Sequence, residues 1–329
     1  MPIVKPPLGK ELDLLLRASA AYGVPSEEDY VRTPVYALNL RATRPLESDP
    51  ILAGGFANGR DATAPAPALT SHAGSVSAPM DLRHIGWWLA LAFGAPDTTE
   101  DDGVFTHVFE SGADALPSWT MEAGLDGAFR QHIGVVARTM RFALGQEAGY
   151  RRVEIELAGR DEVPLEATAA GTPPAMLVRA PIAAARGILK RGGTPIANLL
   201  SFEGTYDNGL EEERLVDESD LVSGWLPSAE SAMSGQMTLR YLDDTYDVLG
   251  AEMTAQAIEL AYALSATLSL TLAMPAVTFE RAGVGIDGPG RLQQQVGFRA
   301  AQTAGAPMLT LTLVNDVADY DAALVGEEA

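Results

Sequence analysis

The sequence predicts a mainly β protein made of two tandem β-sandwich or β-barrel domains in pseudo-repeat, each with one short α-helix and one long loop. Three observations predict this fold. Apolar and polar residues alternate in many segments, glycine and proline account for 32 and 21 of the 329 residues, and the two halves of the chain follow the same order of elements. Frequent turns and period-two alternation are typical of antiparallel sheets with one solvated face.

The clearest strand predictions are four segments in which every second residue is apolar. They are residues 140–144, 153–157, 237–241 and 309–313. Residues 260–279 carry no charge over 20 positions, close to the length of a membrane-spanning helix. Leu268, Leu270 and Leu272 nevertheless alternate with small polar residues, and Pro275 interrupts the segment. This segment therefore also predicts a strand.

Helices are expected at only three places. They are residues 10–22, 81–94 and 243–250. In the second of these segments, apolar residues recur at helical spacing, Asp81 is suited to cap the N-terminus and Gly94 to end the helix. Asp243 and Gly250 are placed in the same way around the third segment.

Three stretches lack any regular pattern. Residues 45–71 are rich in glycine, alanine and proline, and residues 205–234 are acidic, so both predict long surface loops. Residues 163–181 contain TPP and many alanines and predict a linker. We therefore expect a first β domain at residues 1–165, with an N-terminal extension, a linker at 166–185 and a second β domain at 186–329.

The order of elements repeats along the chain. Each half opens on an extended segment, at residues 36–40 and 197–202, continues into its long loop and resumes at a strand that begins with glycine. Those glycines, Gly74 and Gly235, are 161 residues apart, whereas Arg151 and Arg291, which follow the later turns, are 140 apart. An additional hairpin around residues 103–116 of the first half accounts for the difference. A duplicated domain explains this order.

The charge and the cysteine count exclude several classes of protein. Lysine and arginine number 23 and aspartate and glutamate 44, which gives a formal charge of −21. Duplex DNA and anionic lipid both require a basic surface, so neither is an expected ligand. The absence of cysteine excludes disulfide scaffolds, thiolate metal sites and cysteine nucleophiles.

No motif predicts catalysis, a cofactor or a metal. Residues 283–288 match the glycine pattern of dinucleotide-binding loops, but Pro289 and a predicted strand follow where that loop needs a helix. The histidines at 72, 84, 107 and 132 do not have metal-ligand spacing and are expected at the surface or partly packed. Residues 211–220 are acidic but lack the glycine and spacing of a calcium loop, so a solvated loop is the expectation.

The sequence resembles the tail-tube proteins of long-tailed bacteriophages and related phage-like particles, in a two-domain subgroup. In the first half the resemblance is carried by LLLRASAAYGVPSEEDYVRTPVYALNL, HAGSVSAPMDLRHIGWWLALAFGAP, FTHVFESGADALPSWTMEAGLDG and IGVVARTMRFALGQEAGYRRVEIELAGRDE. In the second half it is carried by SGQMTLRYLDD, GIDGPGRLQQQVGFRAA and MLTLTLVNDVADYD. Together these stretches span most of residues 10–321, and the order and spacing are more specific than any one motif.

The resemblance implies a structural virion protein without enzymatic activity. Such proteins form rings that stack into a hollow tube through which DNA passes without specific binding. For a duplicated chain we expect three subunits per ring with pseudo-sixfold symmetry, or six as the alternative. The implied partners are further copies of the chain, the tape-measure protein, the tail terminator and the distal tail or baseplate proteins. The implied location is the virion tail, assembled in the host cytoplasm and without membrane association.

The two long loops are the candidates for contact between stacked rings. Their candidate residues are Asp49, Arg60, Asp61, Glu211, Glu212, Glu213, Asp217, Glu218, Asp220 and Trp225. An acidic lumen would repel DNA phosphates, although the sequence does not assign the charge to any face.

Two other classes of protein remain as alternatives. A monomeric β-sandwich binding module for carbohydrate or peptide would present exposed aromatic residues. Trp87 and Trp88 are adjacent on a predicted helix, so one of them is expected at the surface. A hydrolase with carboxylate catalysis would present a concentrated acidic pocket with perturbed pKa values.

Overall fold

The computed structural model describes residues 7–26, 29–51, 61–217, 219–286 and 288–320 and is mainly β, as predicted. In these residues there are 22 strands, two α-helices and one short 3₁₀ helix, Gly9–Glu11. All of the strand pairings are antiparallel, as expected for strands that alternate in polarity and are joined by hairpins.

The elements of the first half precede a second series of the same kind. In the first half they are β1 (Asp13–Ala18), β2 (Val31–Arg32), β3 (Ala37–Thr43), β4 (Leu46–Glu47), β5 (Ala66–Pro67), β6 (Ser71–Pro79), α1 (Ile85–Phe93), β7 (Asp97–Asp101), β8 (Val104–Glu110), β9 (Trp119–Leu125), β10 (Ala128–Gly145), β11 (Arg152–Ala158) and β12 (Asp161–Leu165). In the second half they are β13 (Ile188–Arg191), β14 (Thr194–Pro195), β15 (Leu199–Asp207), β16 (Leu210–Glu213), β17 (Gly224–Pro227), β18 (Ala232–Arg240), α2 (Thr245–Glu252), β19 (Gln256–Ser265), β20 (Leu268–Phe279), β21 (Gln293–Ala301) and β22 (Thr310–Asn315).

The two halves pair their strands in the same pattern, which confirms the predicted pseudo-repeat. In the first half β6 lies between β3 and β11, and in the second β18 lies between β15 and β21. The long strand β10 pairs with β9, β11 and β12, just as β20 pairs with β19, β21 and β22. The hairpin β7–β8 has no counterpart among the described residues of the second half, as the change in spacing predicted. We call the first set of strands (β3, β6, β9, β10, β11 and β12) the first unit and the equivalent set (β15, β18, β19, β20, β21 and β22) the second unit.

Two equivalent glycines allow the central strand of each unit to pack closely against its neighbour. A Cβ built on Gly74 would lie 1.7 Å from the backbone oxygen of Asn39, and one on Gly235 would lie 2.0 Å from the backbone oxygen of Glu203. Both glycines are the fourth residue of a nine-residue strand, so neither begins its strand as predicted. The 161-residue spacing therefore reflects a shared backbone contact that excludes a side chain.

Backbone pairing joins the two units into one sheet. Residues 139–145 of β10 pair with residues 201–207 of β15, which gives the strand order β3-β6-β11-β10-β15-β18-β21-β20. A second junction pairs β8 with β22. One hydrophobic cluster spans both units. The boundaries of two separate domains, at 1–165 and 186–329, stay a prediction.

Helix α1 is buried in this core rather than lying at its surface. All nine of its residues are buried, and Trp87 and Trp88 are only 5% and 0% exposed. The prediction that one of these tryptophans is exposed was therefore wrong, because the helix is apolar on every side and packs between β8 and β10. The helix ends at Gly94 as predicted, and the backbone of this glycine has a φ of 89°.

Of the other two predicted helices, the first is a strand and the second is present with shifted ends. Residues 10–22 are not a helix, because residues 13–18 form β1 and pair with β9. The three consecutive leucines, Leu14, Leu15 and Leu16, are all buried, so the run is apolar without helical periodicity. Helix α2 forms two residues later than predicted, and it ends at Met253, whose backbone is left-handed.

The segment predicted as a linker is bound tightly to the first unit. The carboxylate of Asp81 accepts hydrogen bonds from the backbone N–H of Ala180, at 2.8 Å, and from the N–H of Arg83, at 3.1 Å. The backbone of Ile182 pairs with Met80 and Arg151. Asp81 is fully buried, so it fixes this segment instead of capping α1, whose N-cap is His84.

Substitution of Gly235 by alanine tests the close strand contact. We expect Gly235→Ala to lower the free energy of unfolding by about 3 kcal/mol or more, because the Cβ would overlap a backbone oxygen that a rotamer change cannot move. Gly145→Ala in β10 is the matched control, because its Cβ would meet nothing closer than 3.8 Å. Urea unfolding followed by circular dichroism measures both, and equal effects of the two substitutions would contradict the expectation.

Candidate functional site

The two long loops predicted from the sequence each contain a short β-hairpin. Strands β4 and β5 form the first hairpin and β16 and β17 the second. Residues 52–60, which separate β4 from β5 in the sequence, lie outside the described residues. The prediction that both segments are irregular was therefore wrong for the residues of these four strands, which pair through their backbones.

Asp220 lies in the turn that connects β16 to β17 and joins this end of the second hairpin to the base of the first. Its carboxylate accepts a hydrogen bond from the Thr70 hydroxyl at 2.6 Å and lies 3.0 Å from Nε of Arg44. Its backbone oxygen accepts from the N–H of Thr70 and from Nη1 of Arg214, and Nη2 of Arg214 donates to the backbone oxygen of Thr70 at 2.7 Å. The hydrogen bond from Thr70, together with the nearby arginines, holds the pKa of Asp220 below its usual value. We call this group, Arg44, Thr70, Arg214 and Asp220, the hairpin clasp.

The other candidate residues of the acidic hairpin lie around the clasp. Glu212 pairs with Arg214, and Glu213 lies opposite Gly224 in the β16–β17 pairing. Glu211 and Asp217 are exposed. Glu218 lies outside the described residues.

The first hairpin carries the remaining acidic candidates. Asp49 and Asp61 are exposed, and Asp49 accepts a hydrogen bond from the N–H of Ile51. Arg60 lies outside the described residues. Of the eight candidates that the structure describes, it therefore places only Asp220 in contact with both long loops.

Trp225 anchors the second hairpin on the sheet. Its ring packs beside a small cluster formed by Val136, Ala158 and Leu210, and the guanidinium of Arg138 lies 5.7 Å from the ring centroid. Its indole N–H donates to the backbone oxygen of Gly159. The hairpin thus covers one end of the sheet that joins the two units.

The remainder of that sheet face is an open polar surface. Directly opposed residues share a face, so the pairings assign Asn39, Ser75, Glu156, Thr139 and Asp207 to one row across five strands. A second row runs through Ser77, Glu154, Arg141, Thr205, Ser234, Arg299 and Thr278. We call this surface the polar face. The residues between these positions point to the core.

The polar face is almost electrically balanced although the chain as a whole is strongly acidic. Its charged residues are Arg41, Arg138, Arg141, Arg152, Arg240 and Arg299 against Glu154, Glu156, Glu203, Asp207 and Glu280. Arg141 and Glu203 form an ion pair across the unit junction at 2.6 Å. The excess of negative charge therefore lies on other surfaces, such as strand β7 and the acidic hairpin.

All four histidines are buried, contrary to the prediction that they lie at the surface or are partly packed. Nε2 of His72 lies 3.1 Å from Nδ1 of His132, and the two rings are stacked. Burial, together with the proximity of His132, lowers the pKa of His72 to about 3, and burial lowers the pKa of His132 to about 4. His84 and His107 bind Asp81 and Thr98. Within the described part of the chain, no group of three or more His, Asp and Glu residues is arranged to hold a metal ion.

A comparison with known families identifies the family of this chain. The family model described as phage tail tube protein matches residues 9–300. The chain belongs to the phage tail tube protein family. No curated protein matches the sequence significantly. The family assigns this tail tube protein a structural role in the virion tail. None of its described helices has the length and hydrophobicity needed to cross a membrane.

Sequence reasoning identified the loops of this tail tube protein but missed their connection and the polar face. The clasp depends on Thr70 and Arg44, which no motif singles out, and Asp220 resembles its acidic neighbours in sequence. The polar face had a detectable signal, because small polar residues such as Ser75, Thr205 and Ser234 alternate with buried apolar ones. Which strands share that face depends on pairings between distant segments.

Removal of the Asp220 side chain tests the clasp. We expect Asp220→Ala to accelerate tryptic cleavage after Arg214 several-fold, because the substitution removes the carboxylate contacts with Thr70 and Arg44 and so weakens the restraint on this segment. Asp217→Ala is the matched control, since Asp217 is exposed and, among the described residues, its carboxylate accepts a hydrogen bond only from the nearby N–H of Ser219. Limited proteolysis with mass spectrometry measures the rates, and equal cleavage of both variants would contradict the role assigned to Asp220.

Acidification tests the buried histidine pair. Both histidines have a lower pKa in the folded than in the unfolded chain, so below pH 6.5 the unfolded state binds more protons and stability falls as pH decreases. We expect a loss of about 1 to 2 kcal/mol per histidine by pH 5. The variant His72→Gln/His132→Gln should lose less stability than the unsubstituted chain between pH 7 and pH 5 in urea unfolding. A pH dependence identical to that of the unsubstituted chain would overturn this assignment.

Proposed function

We propose that this tail tube protein self-assembles into stacked rings that form the hollow conduit for DNA delivery and has no catalytic role. The observation that carries the proposal is the eight-strand sheet built from two equivalent four-strand sets. At one end of this sheet β3 is an edge strand, and at the other end residues 278–279 of β20 pair only with β21 among the described residues. Open edges that pair between copies generate a closed ring.

The internal repeat favours three chains per ring. Each chain supplies eight strands of the sheet and two equivalent units, so three chains supply 24 strands and six units in pseudo-sixfold symmetry. Barrel diameter grows roughly in proportion to strand number, so six chains would double the width of the conduit. Six chains per ring is the alternative outcome.

In the proposed ring, the polar face lines the lumen. Its serine, threonine and glutamine side chains and its balanced charges offer neither a basic track that would hold DNA phosphates nor a strongly acidic wall. DNA therefore passes without specific binding. The sequence left the charge of the lumen open. In this proposal the wall of the lumen is nearly neutral, because the polar face is almost electrically balanced.

The two hairpins held by the clasp are the proposed contacts between rings. They meet at Asp220 and carry the exposed acidic candidates Asp49, Asp61, Glu211 and Asp217. The tape-measure protein inside the tube, the tail terminator and the distal tail or baseplate proteins are the further partners proposed, and assembly takes place in the host cytoplasm. The burial of Trp87, Trp88 and Trp119 disfavours the alternative of an aromatic binding platform.

Electron microscopy and mass photometry of the purified chain, over a concentration series and after seeding with tail tips, test the proposal. We expect rings or tubes with a central hole and a mass of three chains per ring. A mass of six chains would retain the tube and reject the trimer. A chain that stays monomeric after seeding would reject the tube function.

A further inference from the structure

The junction between the two units within one chain shows how a first unit pairs with a second. In β10 and β15, Met140 lies opposite Tyr206, Phe142 opposite Gly204 and Leu144 opposite Phe202. Because the units repeat, the second unit contains a segment that corresponds to the junction residues of β10. The first unit likewise contains a strand that corresponds to β15.

Strand pairing defines the counterpart of β10 residue by residue. Gly74 and Gly235 are equivalent, and they lie opposite Leu157 and Phe298, which in turn lie opposite Ala137 and Phe279. Phe279 therefore corresponds to Ala137, an offset of 142 positions. With this offset, residues 281–286 correspond to residues 139–144 of the junction strand.

Residues 281–286 have the pattern of a strand but no strand partner among the described residues. Ala282, Val284 and Ile286 occupy the positions of Met140, Phe142 and Leu144, and glycine separates them. Ile286 is 75% exposed, whereas its counterpart Leu144 is buried. The segment thus follows β20 as an unpaired extension with an apolar side.

Strand β3 offers the complementary edge. It corresponds to β15, because Leu40 and Gly204 lie opposite the equivalent glycines Gly74 and Gly235. On one side β3 pairs with β6, and among the described residues no strand pairs with its other side. On that open side, the N–H of Ala42 donates to the Glu162 carboxylate at 2.9 Å. Tyr206, the counterpart of Ala42 in β15, instead lies opposite Met140 of β10.

We infer that residues 281–286 of one chain pair antiparallel with β3 of a second copy of this chain, with Ala282 opposite Ala42, Val284 opposite Leu40 and Ile286 opposite Leu38. The inference rests on the proposed ring assembly and specifies its contact. The partner's backbone replaces Glu162 at the N–H of Ala42. The two open edges of the sheet are therefore halves of one interface.

The polarity of both segments selects this register over one shifted by a single residue. In the pairing of β10 with β11, Arg138 forms a bulge between Ala137 and Thr139. The proposed register places the equivalent bulge at Glu280. With it, Val284 and Ile286 lie on the same side as the core-facing Leu40 and Leu38. Without the bulge, the side chains of the segment would turn to the other face. Val284 and Ile286 would then lie on the polar face.

Pairs of cysteines introduced on the polar face test the register. The natural chain has no cysteine, so every disulfide formed must join introduced residues. The register sets residue 283 opposite Arg41 and residue 285 opposite Asn39. We expect Gly283→Cys/Arg41→Cys and Gly285→Cys/Asn39→Cys to form intermolecular disulfides in assembled rings. The exchanged pairs, Gly283→Cys/Asn39→Cys and Gly285→Cys/Arg41→Cys, are matched controls built from the same four substitutions. Their Cβ atoms would be diagonal neighbours, too far apart to bond.

The linked products separate the inference from the proposed function. A ladder on non-reducing gels that ends at three chains, seen for the first two pairs only, supports both. Rings that assemble without these disulfides, or that link through the exchanged pairs, overturn the inference and leave the tube function standing. Absence of any assembly in the unsubstituted chain overturns both.

A proline at position 284 provides a second measurement. Val284→Pro cannot donate a ladder hydrogen bond, so we expect the concentration needed for assembly to rise at least roughly ten-fold. The unfolding temperature of the single chain should stay the same, because Val284 belongs to no strand there. Val284→Thr is the control that keeps the N–H. Normal assembly of the proline variant would overturn the inference.

Discussion

Strand β10 is the element on which the rest of this tail tube protein depends. Residues 128–133 pair with β9 and β12, and residues 136–145 pair with β11 and β15. The strand changes sheets at Gly134, whose φ of 65° suits a residue without a side chain. One continuous strand therefore holds two sheets of the first unit together and also binds the second unit. Burial of α1 against β10 fills the space that this arrangement leaves.

The repeat was predictable because a close backbone contact leaves a local sequence signal. Gly74 and Gly235 stand at equal places in their strands, and only glycine fits there, so the duplication is visible without any structure. Period-two alternation likewise predicted the strands around Met140, Val153 and Leu311. The prediction of a helix at residues 10–22 failed because three consecutive leucines carry no periodicity. Tertiary context alone decided that this run lies in a strand.

The parts of the candidate site that sequence reasoning missed all join distant segments. Asp220 meets Thr70 across 150 residues, and His72 meets His132 across 60. Local spacing has no information about such contacts, so acidic loop residues with different environments looked alike. The balanced polar face was hidden for the same reason. Its arginines and acids come from six strands and from the residue that follows β20. Only the register shows that they oppose one another, while the net charge of −21 lies elsewhere.

Duplication changes the assembly problem as well as the size of the chain. In the proposed ring, every second junction between units is made within a chain, where its two strands meet at a high effective concentration. The hairpin β7–β8 strengthens this internal junction, because β8 pairs with β22 over residues 105–110. The second unit has no equivalent hairpin among its described residues, so the contact inferred between chains has only the β3 edge and residues 281–286. In the proposed ring, the chain therefore folds around its stronger junction and leaves the weaker one for contact between copies.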